Sequence, residues 1–251
     1  MSGSVRPAVE YEVVGARGVR VRMRVEGTGE PLLLLNGLAR PLESWQPFAN
    51  ALTGRTLVSF DTPGSGRSRT PLLPLSIPGL ARVAVSVIDA AGLGAVDVLG
   101  FSYGGVVAQQ LAVHAPTRVR RLILVSTSCG VGATPGSQDA LRALRPPSGA
   151  SSWPRSDAVG TLWHSMAVSS WSSIPFLGVI RAPVLVVSGA RDRVVPPANS
   201  ALLARRIPGA ELVLLPAGHD LQRAGAASVL ARAVEPFLAT ADAQPALPVA
   251  G

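Results

Sequence analysis

The serine at position 102 has the sequence surroundings that a nucleophilic serine needs. It lies in Gly-Phe-Ser-Tyr-Gly-Gly, which matches the pattern G-x-S-x-G. A strand-like stretch (96–101) precedes it and a helix-like stretch (104–114) follows, which predicts a sharp turn that presents the Ser102 hydroxyl. The glycines at 100 and 104 leave room where the backbone crowds the serine. A serine-glycine turn without chemistry is the alternative interpretation.

A histidine must serve as the base, because a neutral serine hydroxyl is a poor nucleophile. The chain has three histidines. His219 follows the last apolar strand in Leu-Leu-Pro-Ala-Gly-His-Asp, which is the loop position expected of the base. His114 lies about three helical turns beyond the serine and is predicted to be a helix-end residue near the surface. His164 lies in an irregular segment and stays a rival base.

The acid that orients the histidine should leave a strand between the serine and the histidine. The strand-like stretch 183–189 runs into Ala-Arg-Asp-Arg, where Asp192 is the acid at the strand end. Asp220, adjacent to the histidine, is the rival, although neighbouring residues in a turn seldom point at each other. Asp61 ends an earlier strand and is predicted to be a loop-shaping residue that caps backbone N–H groups. Asp192 is therefore the predicted acid, in the chain order serine, acid, histidine.

Attack on an ester creates an oxyanion, which two preorganised N–H groups must stabilise. Tyr103, the residue after the nucleophile, is expected to supply one of them. The loop 36–40, Asn-Gly-Leu-Ala-Arg, is expected to supply the other. Gly37 permits a tight turn in this loop, and the N–H of Leu38 is the predicted donor.

Alternating strand and helix patterns position these residues. Residues 11–25 alternate apolar and charged side chains, which is typical of an antiparallel edge hairpin with one wet face. The order of the later elements predicts an α/β fold with a doubly wound, mostly parallel sheet. Sites in such sheets form where strands end at their carboxyl side. The predicted strands are 31–36, 56–60, 96–101, 121–126, 183–189 and 211–216, and the predicted helices are 43–52, 78–91, 104–114, 197–207 and 222–238.

Residues 131–180 interrupt this alternation. An insert of this length in a compact domain is usually functional, so it is predicted to be a lid on a core formed by 1–130 and 181–238. Residues 239–251 are predicted to be a flexible tail. Packing of the insert on the core and a poorly ordered linker are the alternatives. The aromatic residues of the insert are predicted to contact the substrate through an apolar surface: Trp153, Trp163, Trp171 and Phe176.

Length, composition and charge limit the kinds of protein that this chain can be. The 251 residues suffice for one large α/β domain, and 47% apolar with 15% charged residues excludes a disordered chain. The single cysteine, Cys129, cannot form an internal disulfide, which fits a reducing compartment. The net charge of +8 comes from scattered arginines with few aromatic neighbours, which disfavours nucleic-acid binding.

Localisation and cofactors follow from what the sequence lacks. No apolar run approaches the ~20 residues of a transmembrane helix, and the first residues do not resemble a signal peptide. We therefore expect a soluble, cytoplasmic protein. The sequence contains no recognisable metal-ligand cluster and no Gly-rich dinucleotide loop, so no cofactor is expected. It leaves the oligomeric state open.

Four stretches of the chain carry a family resemblance. Together they cover most of the chain outside the insert, and they read LLLLNGLARPLESWQPFANAL, FDTPGSGRSRTPLLPLSIPGLARV, VLGFSYGGVVAQQLAVHAP and PVLVVSGARDRVVPPANSALLARRIPGAELVLLPAGHD. They resemble the intracellular, medium-chain-length poly(3-hydroxyalkanoate) depolymerases of the α/β-hydrolase superfamily. The more specific features are Asn-Gly in place of His-Gly at 36–37, the segment 78–80 and the Trp-Ser-Ser-Ile of 171–174. The resemblance implies Ser102, Asp192 and His219 as the triad, and hydrolysis of a storage polyester at the surface of cytoplasmic granules.

The sequence departs from that family at two points. Tyr103 stands where the family usually has tryptophan, and the insert is shorter than usual. Both changes affect the surroundings of the nucleophile and keep three alternatives open. These are a carboxylesterase or lactonase acting on small soluble esters, a cofactor-free perhydrolase, and a catalytically silent fold that binds granules or a partner.

Overall fold

Eight strands form a single sheet in the computed structural model, which describes residues 8–15, 18–143 and 157–240. The strand order across the sheet is β1-β2-β4-β3-β5-β6-β7-β8. The strands span Val9–Val14 (β1), Arg20–Gly27 (β2), Glu30–Leu35 (β3), Arg55–Phe60 (β4), Val96–Phe101 (β5), Val119–Val125 (β6), Val184–Gly189 (β7) and Glu211–Leu215 (β8).

Helices connect the strands and cover both faces of the sheet. The α-helices span Gln46–Ala51 (α1), Ile77–Ala90 (α2), Tyr103–His114 (α3), Gln138–Ala143 (α4), Ala158–Ser169 (α5), Pro197–Arg206 (α6) and Ala226–Ala239 (α7). Short 3-10 helices span Leu42–Trp45, Pro116–Arg118 and Ile174–Val179. Across the described residues, no helix combines the length and the apolar character that crossing a bilayer requires.

The two N-terminal strands form the predicted edge hairpin. β1 pairs with β2 in antiparallel register, β2 pairs with β4 in the same sense, and every later pairing is parallel. In β2, Val21 and Met23 are buried while Arg20 and Arg24 point to the wetter face. This alternation is what a sheet edge with one solvated face requires. The predicted doubly wound, mostly parallel sheet is confirmed.

Apolar side chains on the two faces of the sheet form two core clusters. Residues of α2, α3 and α6 pack on one face, and residues of α1 and α7 pack on the other. The central strand β5 is buried along its whole length. A strand covered on both faces lacks alternation, which explains why β5 reads as a continuous apolar run.

The parallel register brings the candidate loops to one edge of the sheet. Leu35 of β3 pairs with Gly100 of β5, which pairs with Leu124 of β6. Gly189 of β7 pairs with Leu215 of β8. The loops that follow β3, β5, β7 and β8 therefore leave the sheet at its carboxyl edge.

The described part of the insert is more regular than the sequence predicted. Residues 158–169 form a helix, α5, which was predicted as irregular. Asp157 caps it by accepting a hydrogen bond from the N–H of Gly160. Gly160 approaches the backbone of Gly64 so closely that a Cβ on Gly160 would lie 2.1 Å from the Gly64 oxygen. Capping and this close backbone contact fix a helix whose apolar periodicity is weak. Trp153, and the predicted tail beyond Thr240, lie outside the described residues.

Candidate active site

Ser102 occupies a strained turn between β5 and α3. Its backbone has φ 52° and ψ −116°, a conformation that non-glycine residues rarely adopt. Two hydrogen bonds hold it there. The N–H of Ser102 donates to the carbonyl of Val125 (2.8 Å), and the hydroxyl of Thr127 donates to the carbonyl of Ser102 (2.7 Å). Such strain persists only where neighbouring structure enforces it, and it concentrates at functional sites.

Three glycines make this turn sterically possible. A Cβ at Gly100 would lie 2.5 Å from the carbonyl oxygen of Gly104, and a Cβ at Gly104 would lie 2.1 Å from that of Leu35. A Cβ at Gly105 would meet the side chain of Thr127 at 2.5 Å. The predicted need for glycine at 100 and 104 is confirmed. Position 105 requires glycine for the same steric reason.

His219 bridges the serine and the acid. Its Nε2 lies 3.2 Å from Oγ of Ser102, and its Nδ1 lies 2.8 Å from Oδ2 of Asp192. Asp192 is 3% exposed and His219 is 8% exposed, so bulk water is largely kept from the chain of hydrogen bonds. The structure thus brings together three side chains that lie far apart in the sequence.

Backbone groups fix the orientation of the Asp192 carboxylate. Its Oδ1 accepts hydrogen bonds from the N–H groups of Val194 (2.9 Å) and Val195 (2.8 Å), which leaves Oδ2 for the histidine. A carboxylate only accepts, so the proton of the neutral imidazole lies on Nδ1 of His219. The lone pair of Nε2 therefore faces the serine, as a base requires.

The other two histidines lie elsewhere. His114 is exposed at the end of α3, as predicted. His164 lies on α5, where its Nε2 donates to the carbonyl of Pro63 at 2.8 Å and its ring lies 5.0 Å from that of Tyr103. Burial lowers the pKa of His164. The partner of Ser102 Oγ in the structure is His219, and the hydrogen bond of His164 goes to Pro63 instead.

The two other aspartates that the sequence singled out have different partners. Asp61 accepts from the N–H groups of Leu42 (2.7 Å) and Arg67 (2.8 Å), which confirms its predicted loop-capping role. Asp220 pairs with Arg40 at 3.0 Å. Burial alone would raise the pKa of Asp220, but the hydrogen bond and charge of Arg40 outweigh it and lower that pKa. Asp220 is therefore directed away from the imidazole that it follows in sequence.

The loop after β3 is held by polar contacts that the sequence did not reveal. Asn36 donates to the carbonyl of Pro41 and the hydroxyl of Ser44, both at 2.7 Å. Its oxygen accepts from the N–H of Gly37 and from Gln222 in the histidine loop, both at 2.9 Å. The amide of Asn36 thus ties the loop after β3 to the histidine loop.

Arg40 joins the same two loops a second time. Its guanidinium donates to Asp220 (3.0 Å) and to Gln222 (3.1 Å), and it lies 5.3 Å from the ring centroid of Phe101. Asp220 and Gln222 are separated from Arg40 by 180 and 182 positions. No local sequence pattern signals contacts over such distances.

The predicted oxyanion donors lie at the ends of β3 and β5. Tyr103 is the first residue of α3, so its N–H is among those at a helix start that lack an intrahelical acceptor. Leu38 lies in a turn that the N–H of Arg40 closes on the carbonyl of Gly37 at 3.2 Å. The dipole of α3 adds positive potential near Ser102.

The insert aromatics are engaged in packing. Trp171 is 9% exposed, donates to Gln110 of α3 at 2.9 Å and meets the ring of Phe176 edge-on at 5.7 Å. Trp163 is half-buried and donates to the carbonyl of Pro71 at 3.2 Å. These contacts correspond to the alternative that the insert aromatics pack against the core instead of contacting a substrate. Trp153, the fourth aromatic, lies outside the described residues.

Metal-ligating side chains do not cluster in the described part of the chain. Among residues 8–15, 18–143 and 157–240, no group of three or more His, Cys, Asp or Glu side chains could hold a metal ion. The one cysteine, Cys129, is buried, and burial raises its pKa.

Comparisons with known proteins agree with this architecture. The family model of the alpha/beta hydrolase fold matches residues 30–162 and 154–225. A poly(3-hydroxyalkanoate) depolymerase of Ectopseudomonas oleovorans is 33% identical over 219 residues, which cover 75% of this chain and 77% of the relative. The 3-oxoadipate enol-lactonase 2 of Acinetobacter baylyi is 27% identical over 75% of this chain and 81% of the relative. The crystal structure of a hydrolase from Pseudomonas aeruginosa PA01 superposes with a TM-score of 0.81 at 27% identity, over 96% of this chain and 100% of that one.

Proposed function

Because the chain belongs to the α/β-hydrolase family, we propose that it is a serine ester hydrolase whose substrate is a poly(3-hydroxyalkanoate) storage polyester. Ser102 is the nucleophile of this proposal, His219 its base and Asp192 the acid that orients the base. The observation that carries it is the continuous chain of hydrogen bonds, 3.2 Å from Ser102 to His219 and 2.8 Å from His219 to Asp192.

The proposed reaction proceeds through an acyl-enzyme. Nε2 of His219 removes the proton of Ser102 as Oγ attacks the ester carbonyl, and the imidazolium then protonates the leaving alcohol. Water, activated by the same nitrogen, hydrolyses the acyl-enzyme. Asp192 stabilises the imidazolium by accepting a hydrogen bond from Nδ1–H of His219, and Asp192 stays deprotonated throughout.

The oxyanion is assigned to the N–H groups of Tyr103 and Leu38. Donors at such a site must be rigid before the reaction, because reorganisation would consume the stabilisation they offer. The contacts of Asn36 and Arg40 supply this rigidity for the Leu38 loop, and the start of α3 supplies it for Tyr103. The loop that carries Leu38 is fixed relative to the base, since Gln222 of the histidine loop contacts Asn36 and Arg40.

Sequence identity supports the polyester as substrate. The relative that is 33% identical is named as a poly(3-hydroxyalkanoate) depolymerase, and the match extends over three quarters of both chains. We propose that residues 131–180 form a lid. In support, His164 of the insert lies on Tyr103, and the N–H of Ser137 donates to the carbonyl of Arg193 in the acid loop at 2.8 Å.

The nucleophile is tested with a matched pair of serine variants. Wild type and Ser86→Ala, a change on α2 away from the candidate site, should release hydroxyacids from medium-chain polyester granules. Ser102→Ala should release none above background. A fluorophosphonate probe should label wild type and Ser86→Ala only, which separates a serine hydrolase from a catalytically silent fold. Undiminished hydrolysis by Ser102→Ala would refute the assignment.

A second candidate function is a carboxylesterase or lactonase acting on small soluble esters. The covering of Tyr103 favours it, since this side chain is 5% exposed beneath His164. A lid over Ser102 would obstruct a long polymer strand more than a small ester. The relative named as an enol-lactonase points in the same direction.

One comparison decides between the two candidates. Purified protein is assayed in parallel on medium-chain polyester, short-chain polyester and small chromogenic esters. Release of hydroxyacids from polyester at rates comparable to small-ester turnover supports the depolymerase. Turnover of small esters with intact polyester supports the esterase or lactonase, and leaves the triad assignment standing.

A further inference from the structure

The insert contacts the loop that carries the candidate acid. The N–H of Ser137 donates to the carbonyl of Arg193 at 2.8 Å. Gly136 lies so close to the same loop that a Cβ on it would lie 2.0 Å from the carbonyl oxygen of Val194. Both of these acid-loop residues lie within two positions of Asp192. The insert therefore packs on the turn from which the acid projects.

This turn determines where the Asp192 carboxylate points. The N–H groups of Val194 and Val195 donate to Oδ1 of Asp192, and Oδ2 is thereby left for the candidate base. The first half of the turn is tied to the histidine loop, because the N–H of Arg191 donates to the carbonyl of Ala217 at 2.9 Å. The second half supplies both donors to the carboxylate and is held from outside by the insert.

Asn199 fixes the insert to the core at this point. It is the third residue of α6, directly after the acid loop, and it is 2% exposed. Its Oδ1 accepts from the N–H of Thr134 at 2.7 Å, and its Nδ2 donates to the carbonyl of the same residue at 2.9 Å. One amide thus pairs both backbone groups of a residue three positions before Ser137. A carboxylate or an alkyl group of similar shape cannot offer both a donor and an acceptor.

We propose that Asn199 is a positioning residue of the candidate active site, which acts on Asp192 through the insert. Its two hydrogen bonds hold residues 134–137 against the acid loop, and the acid loop aims the carboxylate at His219. Without these bonds, the second half of the turn gains freedom and the carboxylate loses its fixed alignment with the imidazole. The inference rests on the proposed ester hydrolase function. It gives the insert a part in catalysis that is separate from any covering of the substrate.

The inference is tested with Asn199→Leu, which keeps much of the side-chain shape and removes both hydrogen bonds. On a soluble chromogenic ester, kcat should fall by about tenfold, because a small misplacement of a group that acts in the reaction is enough for such a loss. KM should stay within about twofold of wild type, since the change removes no contact with the substrate. An unchanged kcat would overturn the positioning role.

Two control variants separate this effect from a general loss of stability. Ile88→Val removes a buried methyl group near the end of α2, at the edge of the sheet opposite the candidate site. It should lower the melting temperature and leave kcat unchanged. Asn50→Leu changes an exposed asparagine on α1 and should match wild type in both measurements.

A second variant disturbs the same contact from the side of the insert. Gly136→Ala places a Cβ against the carbonyl of Val194, so residues 134–137 must move away from the acid loop. Its kcat should fall by a factor similar to that of Asn199→Leu. The double variant should lose little more than either single one, because both changes break one chain of contacts, whereas independent losses would multiply. Gly178→Ala, in the insert with no atom within 4 Å of the new Cβ, should keep the kcat of wild type.

Proton NMR of the imidazole gives a readout that needs no turnover. Nδ1–H of His219 donates to the Asp192 carboxylate, and a proton in such a charge-assisted bond resonates far downfield. Its disappearance in Asp192→Asn assigns the signal. In folded Asn199→Leu the signal should move upfield and broaden, whereas Ile88→Val should leave it unchanged.

The outcomes separate this inference from the function on which it rests. Ester hydrolysis with the kcat of wild type in Asn199→Leu, an unchanged imidazole signal in that variant, or multiplicative losses in the double variant overturns the positioning role and spares the hydrolase. Absence of hydrolysis by wild type overturns the hydrolase, and the NMR comparison still decides whether Asn199 aligns the acid. If Asn199→Leu does not fold, the kcat and the imidazole signal of Gly136→Ala decide in its place.

Discussion

Replacing Asp192 with asparagine should reverse the hydrogen-bond polarity of the candidate triad. In the structure, Oδ1 of Asp192 accepts from the N–H groups of Val194 and Val195, while Oδ2 accepts from Nδ1 of His219. An asparagine must direct its one oxygen to the two backbone donors, because its NH2 group cannot accept. The NH2 group then faces the imidazole and donates to Nδ1.

This reversal moves the histidine proton to the wrong nitrogen. Once Nδ1 of His219 accepts a hydrogen bond, the neutral ring carries its proton on Nε2, which faces Ser102 at 3.2 Å. That nitrogen can no longer remove the serine proton. The expected loss in kcat is about 10⁴-fold, the size of the effect when a buried triad acid is made an amide, or roughly 5.5 kcal/mol of transition-state stabilisation.

The assay is steady-state hydrolysis of a soluble ester, with the melting temperature as the measure of folding. Asp192→Asn should melt close to wild type, since its side chain has nearly the same shape and keeps both backbone hydrogen bonds. Asp220→Asn is the matched control. It removes the neighbouring carboxylate, which pairs with Arg40 and not with the imidazole, and should cost far less activity. A kcat for Asp192→Asn within tenfold of wild type, in a folded protein, would refute the tautomer argument.

Three further predictions concern the turn, the loops and the sheet edge. Gly104→Ala should destabilise the protein by about 3 kcal/mol, because the new Cβ would lie 2.1 Å from a backbone oxygen. Its melting temperature should fall by roughly 6–12 °C. Gly94→Ala, whose new Cβ would have no atom within 4 Å, should melt like wild type. Arg40→Gln should lower kcat by about tenfold to a hundredfold with a smaller change in KM, because it removes one of the two links between the loop after β3 and the histidine loop. Arg67→Gln, at a 63% exposed side chain, should leave kcat unchanged. Hydrogen bonds from Arg22 and Arg24 lower the pKa of Glu10 to about 2 from an ordinary value of 4.5, so its contribution to stability is complete above pH 4.5 and lost as the pH falls toward 2. The difference in melting temperature between wild type and Glu10→Gln should therefore shrink across that range, and a difference that stays constant from pH 7 to 2 would contradict it.

The local sequence was sufficient to predict the strands, the turn at Ser102 and the order of the candidate residues. Each of these depends on neighbours in the chain: a buried strand such as β5 needs a continuous apolar run, and the turn needs glycines on both sides of the serine. Alternating strands and helices then fix a parallel sheet, whose carboxyl edge collects the loops. The insert was the exception. Helix α5 has weak periodicity and depends on the Asp157 cap and on the close approach of Gly160 to Gly64, neither of which a hydrophobic pattern reports.

The sequence by itself determined the fold class and the residue types able to do the chemistry, because both are encoded in periodicity and spacing along the chain. Tertiary structure alone decided which polar groups meet. Arg40 donates to Asp220, which lies 180 positions away in the sequence, and Trp171 donates to Gln110, which lies 61 positions away. The rings of Tyr103 and His164 lie 5.0 Å apart only because the fold places α5 beside the start of α3. Side-chain hydrogen bonds act over about 3 Å, and only the packed fold brings residues so distant in sequence within that range.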